Sequence, residues 1–174
     1  MSIKPFTLAE CKIQASILLK QIRSNPNIEQ IAVFKQLPIF TNLDNNDISK
    51  QVQLKHALHL VANKYGFERW SNLKAYFEKT GQTMFNMHSG FLNQWFANYV
   101  EAKSYLGNHP TEFLLPYKKH FVVCNFDCIE YMGFDTQDNN WALIHHNWVE
   151  PGDYQAWEAL NTQHSKIMKG QQNV

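Results

Sequence analysis

The sequence is poor in cysteine and has no long apolar run. Three cysteines occur in 174 residues, and a small, odd number is typical of a reducing cytosol rather than of a disulfide scaffold. No apolar stretch approaches the roughly 18 residues that a membrane span needs, and the N-terminal residues lack the apolar core of a signal peptide. We therefore expect a cytoplasmic protein that has no membrane partner.

Repeats and low-complexity segments are also missing. Hydrophobic residues make up 44% of the chain and aromatic residues 14%, which is a globular rather than a disordered composition. A chain of this length suffices for one domain with a solid core or for two small domains. The turn residues TGQT at 80–83 are the predicted boundary. They would separate a helical module over 1–80 from a second domain over 84–170.

Basic residues are absent from one long interval of the second half. The net charge is only +1, but no Lys or Arg lies between Lys119 and Lys166, where seven acidic residues occur. Residues 1–80 carry a net charge of +5 and residues 81–174 a net charge of −4. Such a split indicates two surfaces with different partners, two halves that attract each other, or simply solvated faces.

Two helix starts are indicated early in the chain. Thr7 followed by Glu10 has the pattern of a capping box, in which each residue satisfies a backbone N–H near the helix start. Asn25 followed by Pro26 predicts a second start, because proline at the first helical position loses no hydrogen bond. Apolar residues at three- and four-residue steps after Thr7 predict one buried stripe on the first helix.

A third helix is expected from Asp47 or Ser49 to the Gly-Phe pair at 66–67. Glycine is the expected left-handed residue just past a helix end, because it has no Cβ to clash. The phenylalanine then stands where a helix-ending motif needs an apolar contact back onto the last turn. The Gly-Phe pair at 133–134 is the same stop signal.

The second half has a less regular pattern. Ser89 is the predicted start of a helix that continues past residue 100, and Asp138 and Asp153 are predicted to cap later helices. Residues 112–124 predict a small β-hairpin around a proline turn, although a helix over 117–124 is the alternative because short apolar runs are ambiguous. The predicted fold class is mainly α with a minor β part.

Residues 54–78, LKHALHLVANKYGFERWSNLKAYFE, carry the most specific pattern. They resemble a short helical module of bacterial proteins that occurs ahead of ankyrin repeats and in proteins related to the glyoxalase superfamily. The first helix also matches the leading helix of the module, so the resemblance covers about residues 6–79. The shared positions are Leu54, Ala57, Leu58, Val61, Ala62, Gly66, Phe67, Trp70, Leu73 and Lys74.

The resemblance implies a bacterial protein with a helical first half. Its shared residues are structural in type: an apolar stripe, a glycine cap and an aromatic anchor. No ankyrin-type signature and no glyoxalase-type metal pattern follows in residues 81–174. The resemblance therefore transfers no catalytic residue, and the second half is not assigned to a family.

Histidine and cysteine side chains cluster between residues 120 and 146. Cys124 and Cys128 with His120 and His145 form a candidate zinc set, because zinc prefers four nitrogen and sulfur ligands. The spacing C-x3-C lacks the paired C-x2-C doublets of most structural zinc sites. Inert buried cysteines are the alternative, since cysteine is among the most buried residue types.

The same residues offer a nucleophile in place of a metal site. Cys124 or Cys128 with His120 or His145 would form a Cys–His pair. Cys128 is the better thiol, because it would lie in the first turn of a helix, where the helix dipole favours a thiolate.

A carboxylate pair is the remaining catalytic candidate. Glu130 with Asp127 would serve acid–base chemistry. The alternative is that such acids stabilise helix N-termini.

Basic residues dominate the helices around the Gly-Phe pair at 66–67. Lys55, Lys64, Arg69 and Lys74 are the candidate partner contacts. Two helices joined by a glycine turn favour a nucleic-acid partner of the helix-turn-helix kind. Solvated lysines on exposed helical faces are the alternative, because the chain lacks a dense basic cluster.

Aromatic residues accumulate in the acidic interval. Trp141, Trp148 and Trp157, with Tyr131 and Tyr154, would cage a cation or grip a basic peptide. Filling of the core is the alternative, and we favour it for most of them. Trp148, near the EPG turn, is the one that we expect to be exposed and to contact a partner.

These observations favour a non-catalytic interaction or regulatory protein of the bacterial cytosol. It would bind a protein or, as the other option, a nucleic acid, and we expect no cofactor. The alternative is a small enzyme or metal-binding protein with a His/Cys site within residues 120–146. Convergence of His120, Cys124 and His145 on one pocket would favour the second hypothesis.

Overall fold

A computed structural model describes residues 7–85, 87, 90, 91 and 93–171 and confirms the mainly α fold. Of these described residues 60% are helical, and three strands among them form a small antiparallel sheet. No helix in this part of the chain is long and apolar enough to cross a membrane. The helices are α1 (Leu8–Ser24), α2 (Ile28–Lys35), α3 (Asn45–Gln51), α4 (Leu54–Lys64), α5 (Trp70–Glu78), α6 (Tyr99–Asn108), α7 (Phe126–Tyr131), α8 (Asn139–Leu143) and α9 (Tyr154–Gln171). The strands are β1 (Gln94–Phe96), β2 (Phe113–Tyr117) and β3 (His120–Cys124).

The chain divides into two compact units, Met1–Lys74 and Ala75–Val174. Helices α1–α4 lie in the first unit, and the sheet lies in the second with α6–α9. The division falls inside α5, before the TGQT segment at 80–83. That segment forms a 3₁₀ turn over Thr80–Gln82. Whether the units fold as separate domains, as the sequence suggests, stays a prediction.

The first unit is built on the packing of α1 against α4. Both helices bury small side chains, Ala15 on α1 and Ala57 on α4, and small side chains let helix backbones approach closely. The second helix contacts both of them and adds Ile31 and Phe34 to the core. The apolar stripe that the sequence predicts on α1 is therefore the side that faces the other helices.

Capping side chains fix where the first two helices begin. Thr7 Oγ1 accepts the Glu10 N–H at 3.2 Å, and Glu10 Oε2 accepts the Thr7 N–H at 2.8 Å, so the predicted capping box is confirmed. The second helix starts later than predicted. Asn27, rather than Asn25, caps it by accepting the Gln30 N–H at 2.8 Å.

The predicted third helix is in fact two helices. Val52 has φ −63° and ψ 130°, which is extended backbone, and its side chain is fully buried. Burial of this valine favours the break between α3 and α4 over a continuous helix. Gln53 then caps α4, and Nδ1 of His56 accepts the Gln53 N–H at 3.0 Å.

Both Gly-Phe pairs end helices as predicted. Gly66 has φ 88° and Gly133 has φ 91°, in the left-handed region that glycine tolerates. The N–H of Phe67 donates to the carbonyl five residues back at 3.1 Å, and that of Phe134 does the same at 3.2 Å. This is the hydrogen bond of a Schellman motif, and it turns each phenylalanine into a core.

The sheet has the order β1-β3-β2, with both pairings antiparallel. Tyr117 pairs with His120, so a two-residue turn at 118–119 joins β2 to β3. The hairpin predicted near 112–124 is confirmed, and the helical alternative over 117–124 is excluded.

The proline lies inside β2 and not in the turn, which corrects the predicted hairpin geometry. The Leu114 N–H donates away from β3, to the carbonyl of His146 at 2.8 Å. Because backbone N–H groups alternate in direction along a strand, the position of Pro116 also points away from β3. The missing proline N–H therefore costs the hairpin no ladder bond.

The prediction of a helix that starts at Ser89 is wrong for residues 94–96. Gln94–Phe96 form β1 and pair with β3. Ser89 itself lies outside the described residues. The helix begins only after Asn98, whose Oδ1 accepts the Glu101 N–H at 2.9 Å.

The sheet is covered on both faces within the second unit. One face carries Phe113, Leu115, Val122 and Cys124 and joins the core that α7, α8 and α9 complete. On the other face the ring of Phe121 lies 5.5 Å from that of Tyr99 on α6. The sheet thus forms the central layer of this unit.

Acid should lower the free energy of unfolding of the first unit, because it protonates His56. Its Nδ1 accepts a hydrogen bond, its ring packs edge-on against Phe40 at 4.8 Å, and burial, aided by Lys55 and His59, lowers its pKa below 6.5. The folded state therefore prefers the neutral ring. Its contribution to the free energy of unfolding is complete above about pH 6.5 and is lost as the pH falls through the lower folded pKa.

Urea titrations at several pH values between about 7 and 5 would measure this loss. The substitution His56→Gln retains an acceptor at the capping position and should flatten the pH dependence. An unchanged pH dependence in the variant would contradict the assignment.

The hairpin turn should gain stability from glycine at one position only. Lys118 has φ 52°, and a left-handed conformation costs a non-glycine residue about 1–2 kcal/mol. Lys118→Gly should raise the free energy of unfolding by about 0.5–1 kcal/mol in chemical denaturation. The matched control Lys119→Gly, at a position outside the left-handed region, should give no gain. Equal gains from both variants would rule out backbone strain as the cause.

Candidate functional site

The four predicted zinc ligands do not form one site. His120 begins β3 and Cys124 ends it, and four residues of extended strand span about 13 Å. His145 lies in the turn after α8, where its ring is exposed and sits against Gly152. Among the described residues, no three His, Cys, Asp or Glu side chains are placed to hold a metal ion.

Cys124 and Cys128 are nevertheless neighbours and form a buried thiol pair. The hydrogen bond between the two thiols raises the pKa of Cys124 and lowers that of Cys128. The side-chain amide of Asn93 also donates to Cys128 Sγ at 3.9 Å. Cys128 is thus the more acidic thiol, but both sulfurs lie in the core, and His120 is too far along β3 to act as a base for it.

The candidate carboxylate pair is occupied by local contacts. Glu130 accepts a hydrogen bond from the hydroxyl of Thr136 at 3.0 Å. Asp127 accepts one from the side chain of Asn125 at 3.0 Å, beside the start of α7. Both carboxylates are exposed. Their contacts are those of acids that stabilise a helix and a turn, which is the alternative that the sequence left open.

Two consecutive histidines adopt a left-handed backbone after α8. His145 has φ 56° and His146 has φ 52°, so neither continues the helix that was predicted for them. The Nδ1–H of His146 donates to the carbonyl of Pro110 at 2.9 Å, and its ring stacks on Phe113 at 4.6 Å. These contacts hold the reversed backbone in place.

Because the backbone reverses at these two histidines, Asn147 and Trp148 lie at the edge of β2. The N–H of Trp148 donates to the carbonyl of Leu114 at 2.9 Å, and a parallel bridge joins Asn147 to the same strand.

Trp148 is 0% exposed, so the expectation that it lies at the surface is wrong. Its ring packs edge-on against Phe85 at 5.0 Å and Trp157 at 5.6 Å. It fills the core and cannot contact a partner.

Glu150 anchors a buried polar network that the sequence did not single out. Its side chain is 8% exposed. Oε2 accepts a hydrogen bond from the hydroxyl of Tyr99 at 3.0 Å and one from Nζ of Lys103 at 2.7 Å. Asn147 Nδ2 donates to the same tyrosine oxygen at 2.7 Å, while Asn147 Oδ1 accepts the N–H of Glu150 at 3.1 Å. The network ties the start of α6 to the loop before α9.

The electrostatics of this network keep the phenol of Tyr99 protonated. Burial raises the pKa of Tyr99 well above its ordinary value, and the charge of Glu150 raises it further. The same two causes raise the pKa of Tyr154. A protonated tyrosine donates to a carboxylate, which is the arrangement found here. The related signal in the sequence is the absence of Lys and Arg from the interval that contains Glu150.

The predicted basic contacts of the first half are all exposed, but they do not share one face. Lys55 lies in the first turn of α4, and Lys64 is its last residue. Arg69 lies 3.5 Å from the carboxylate of Glu68, with both side chains mostly in solvent. Lys74 lies on α5. Of the four, Lys64 also lines a groove.

The groove crosses the first unit between α1, α2 and α4 and encloses about 550 Å³. Ile17 on α1 and Val33 on α2 face it and are 50% and 37% exposed. Ile13, one turn before Ile17, is 58% exposed. Amide side chains such as Gln14 and Gln21 alternate with these apolar ones along α1. Contiguous exposed apolar side chains in a concavity are typical of binding sites.

Removing one hydroxyl should show how far the second unit depends on the Glu150 network. Tyr99→Phe leaves Asn147 without its acceptor and Glu150 without one donor, so the free energy of unfolding should fall by about 1–3 kcal/mol. Tyr131→Phe, at a tyrosine that is 56% exposed, is the matched control and should change it by less than about 0.5 kcal/mol. Chemical denaturation followed by circular dichroism measures both. Equal effects would mean that the network adds nothing.

Comparison with known proteins gives no family for this chain. No protein-family model, curated protein or solved structure matches it. The resemblance of residues 6–79 to the bacterial helical module stays a prediction. In the structure, its apolar positions Val61, Phe67 and Leu73 are buried.

Proposed function

We propose that the protein is a non-catalytic interaction protein of the bacterial cytosol. Its first unit binds an acidic amphipathic helix of a protein partner in the groove between α1, α2 and α4. The observation that carries this proposal is the pair of exposed apolar side chains, Ile17 and Val33, that face one concavity. Because these side chains are already partly buried, covering the rest of each would stabilise a complex by about 1 kcal/mol per side chain.

The dimensions of the groove suit a short helix. Its wall on α1 runs from Gln14 to Gln21, which at a rise of 1.5 Å per residue is about 10 Å, or two helical turns. A helix bound in such a groove contacts it through apolar residues spaced three and four positions apart. Leu60 and Val61 of α4 form part of the apolar lining that these residues would meet.

The charges around the groove favour an acidic partner. Lys64 is part of its wall. Lys20 lies one turn beyond Ile17 on the same face of α1, and Lys35 precedes Gln36 of the wall. Glu10, Glu29 and Glu68 each lie four residues from a wall residue in sequence, but none of the three is part of the wall. The surplus of lysine would attract acidic flanks and set the orientation of the partner helix.

A protein partner fits these observations better than a nucleic acid. Nucleic-acid sites combine basic side chains with contacts to phosphate, whereas this lining is largely apolar. Lys55, Arg69 and Lys74 lie outside the groove wall. The metal or enzyme alternative is less favoured, because His120 and His145 do not converge on the cysteine pair. Nucleic-acid binding is therefore kept as an outcome of the test.

A designed peptide tests the proposal on the full chain. The probe is a fluorescein-labelled, 14-residue helix with leucine on one face and glutamate on the other, measured by fluorescence anisotropy. Ile17→Asp places a charge against the apolar face of the peptide and should weaken binding at least tenfold, because covering an unpaired charge costs more than about 1.4 kcal/mol. Ile28→Asp, at a side chain that is 83% exposed and outside the wall, is the matched control and should leave binding unchanged.

Two further arms distinguish the partner classes. A peptide with lysine in place of glutamate should bind more weakly than the acidic one. A random-sequence DNA duplex at low salt should not compete with the acidic peptide. The proposal fails if Ile17→Asp and Ile28→Asp behave alike. It fails in favour of nucleic acid if only the duplex binds, with a steep salt dependence.

A further inference from the structure

The second unit contains a separate pocket of about 440 Å³ that none of the sites above uses. It lies between the segment that follows α5 and one side of α9. Its polar walls include Lys79, His164 and Lys169, and its apolar walls include Met84 and Met168. The volume is within the range of small-molecule sites.

His164 is the feature that points to a ligand. It is 8% exposed, and its ring lies parallel to that of Phe134 at 5.8 Å and 5.0 Å from that of Phe85. Neither ring nitrogen has a hydrogen-bond partner among the described residues. Neither nitrogen is among the fully enclosed unpaired polar atoms of the described residues, so in a ring that lines the pocket they are accessible to a hydrogen-bonding group of a ligand. Burial lowers the pKa of His164, and a neutral ring offers one donor and one acceptor.

The charged walls favour an anion. Lys79 Nζ lies 3.6 Å from Glu158 Oε1, and both side chains are more than half exposed, so this ion pair is weak. Lys169 adds a second ammonium group to the wall. Lys79 and Lys169 are the charged residues of the wall, and both are cationic. An incoming anion would share Lys79 with Glu158 and gain from both lysines.

The remaining walls suit an apolar body. Met84 is 75% exposed and Met168 is half-buried. Methionine side chains adapt to the shape of a ligand, and their sulfur atoms contact aromatic rings favourably. A flat ring between the two thioethers would be covered on both sides.

We propose that this pocket binds a small aromatic anion, a carboxylate or a phosphate. Its charged group is held by Lys79 and Lys169, its ring by Met84 and Met168, and a polar atom by His164. The site lies in the second unit, so it is independent of the groove proposed for the protein partner.

The indole N–H of Trp148 provides an NMR signal that reports on ligand binding in this pocket. Thr83 belongs to the wall, and its Oγ1 accepts the indole N–H of Trp148 at 3.1 Å. The same hydroxyl lies 3.4 Å from Asn161 Oδ1, to which it donates. A ligand in the pocket would disturb this chain of hydrogen bonds. The indole N–H resonance of Trp148 should therefore shift on binding.

Titration of the ¹⁵N-labelled full chain tests the proposal by NMR, with the indole resonances assigned by triple-resonance experiments. Benzoate and phenyl phosphate are the anionic probes, and benzyl alcohol is the neutral control. At least one anion should shift the Trp148 resonance saturably, and benzyl alcohol should bind at least fivefold more weakly. The stronger of the two anions identifies carboxylate or phosphate as the preferred group.

Lysine variants inside and outside the wall supply the matched comparison. Lys79→Gln and Lys169→Gln should each weaken binding about two- to fivefold, the range of one exposed charge contact. Lys166→Gln removes an exposed charge from the same helix outside the pocket and should have no effect. His164→Phe, which keeps an aromatic ring but no nitrogen, should weaken binding as well. If that variant does not fold, the lysine variants decide the question.

Three results would overturn the proposal. The first is the absence of a saturable shift with either anion. The second is equal affinity for benzyl alcohol, which would mean that charge is not recognised. The third is equal weakening by Lys166→Gln and the wall variants, which would reduce the effect to net charge.

Discussion

A left-handed glycine followed by phenylalanine determines the core of each unit. Gly66 and Gly133 reverse the chain at a helix end, and the hydrogen bond made by the next residue fixes the direction of its side chain. Phe67 enters the first core in this way. Phe134 enters the second, where its ring meets Trp141 at 5.3 Å and stacks on His164. The anion pocket therefore depends on a turn that is more than 20 residues away in sequence.

The first unit exposes apolar side chains beside its groove, and the second unit buries a charged side chain. The first leaves Ile13 and Ile17 exposed along one helix, which is useful only if something covers them. The second buries Trp141, Trp148 and Trp157, although Trp95 is 52% exposed, and it also buries a carboxylate, Glu150, which Tyr99 and Lys103 satisfy. A buried carboxylate with these partners fixes a loop in one position. One unit thus presents a surface, and the other holds a rigid framework around a pocket.

Local signals were predictable from the sequence, and long-range ones were not. The capping box at Thr7 and the two Gly-Phe stops involve residues within six positions of each other, so their geometry follows from residue type. The strand at Gln94–Phe96 exists because β3 pairs with it, and its own sequence suits a helix equally well. The His/Cys cluster at 120–146 failed for a related reason, since an extended strand separates residues that a helix would bring together. The groove and the buried state of Trp148 depend on neighbouring elements that no single segment reveals.

The position of Pro116 has a consequence for association between chains. Between Phe113 and Tyr117, only the backbone positions of Leu114 and Pro116 point away from β3. The first has its N–H bonded to His146, and the second has no N–H. An incoming strand would find no donor on this side of β2, and strand addition depends on such donors. The outer edge of β2 therefore offers no backbone donor to another strand. The proline that the sequence suggested as a turn signal thus protects this edge against aggregation.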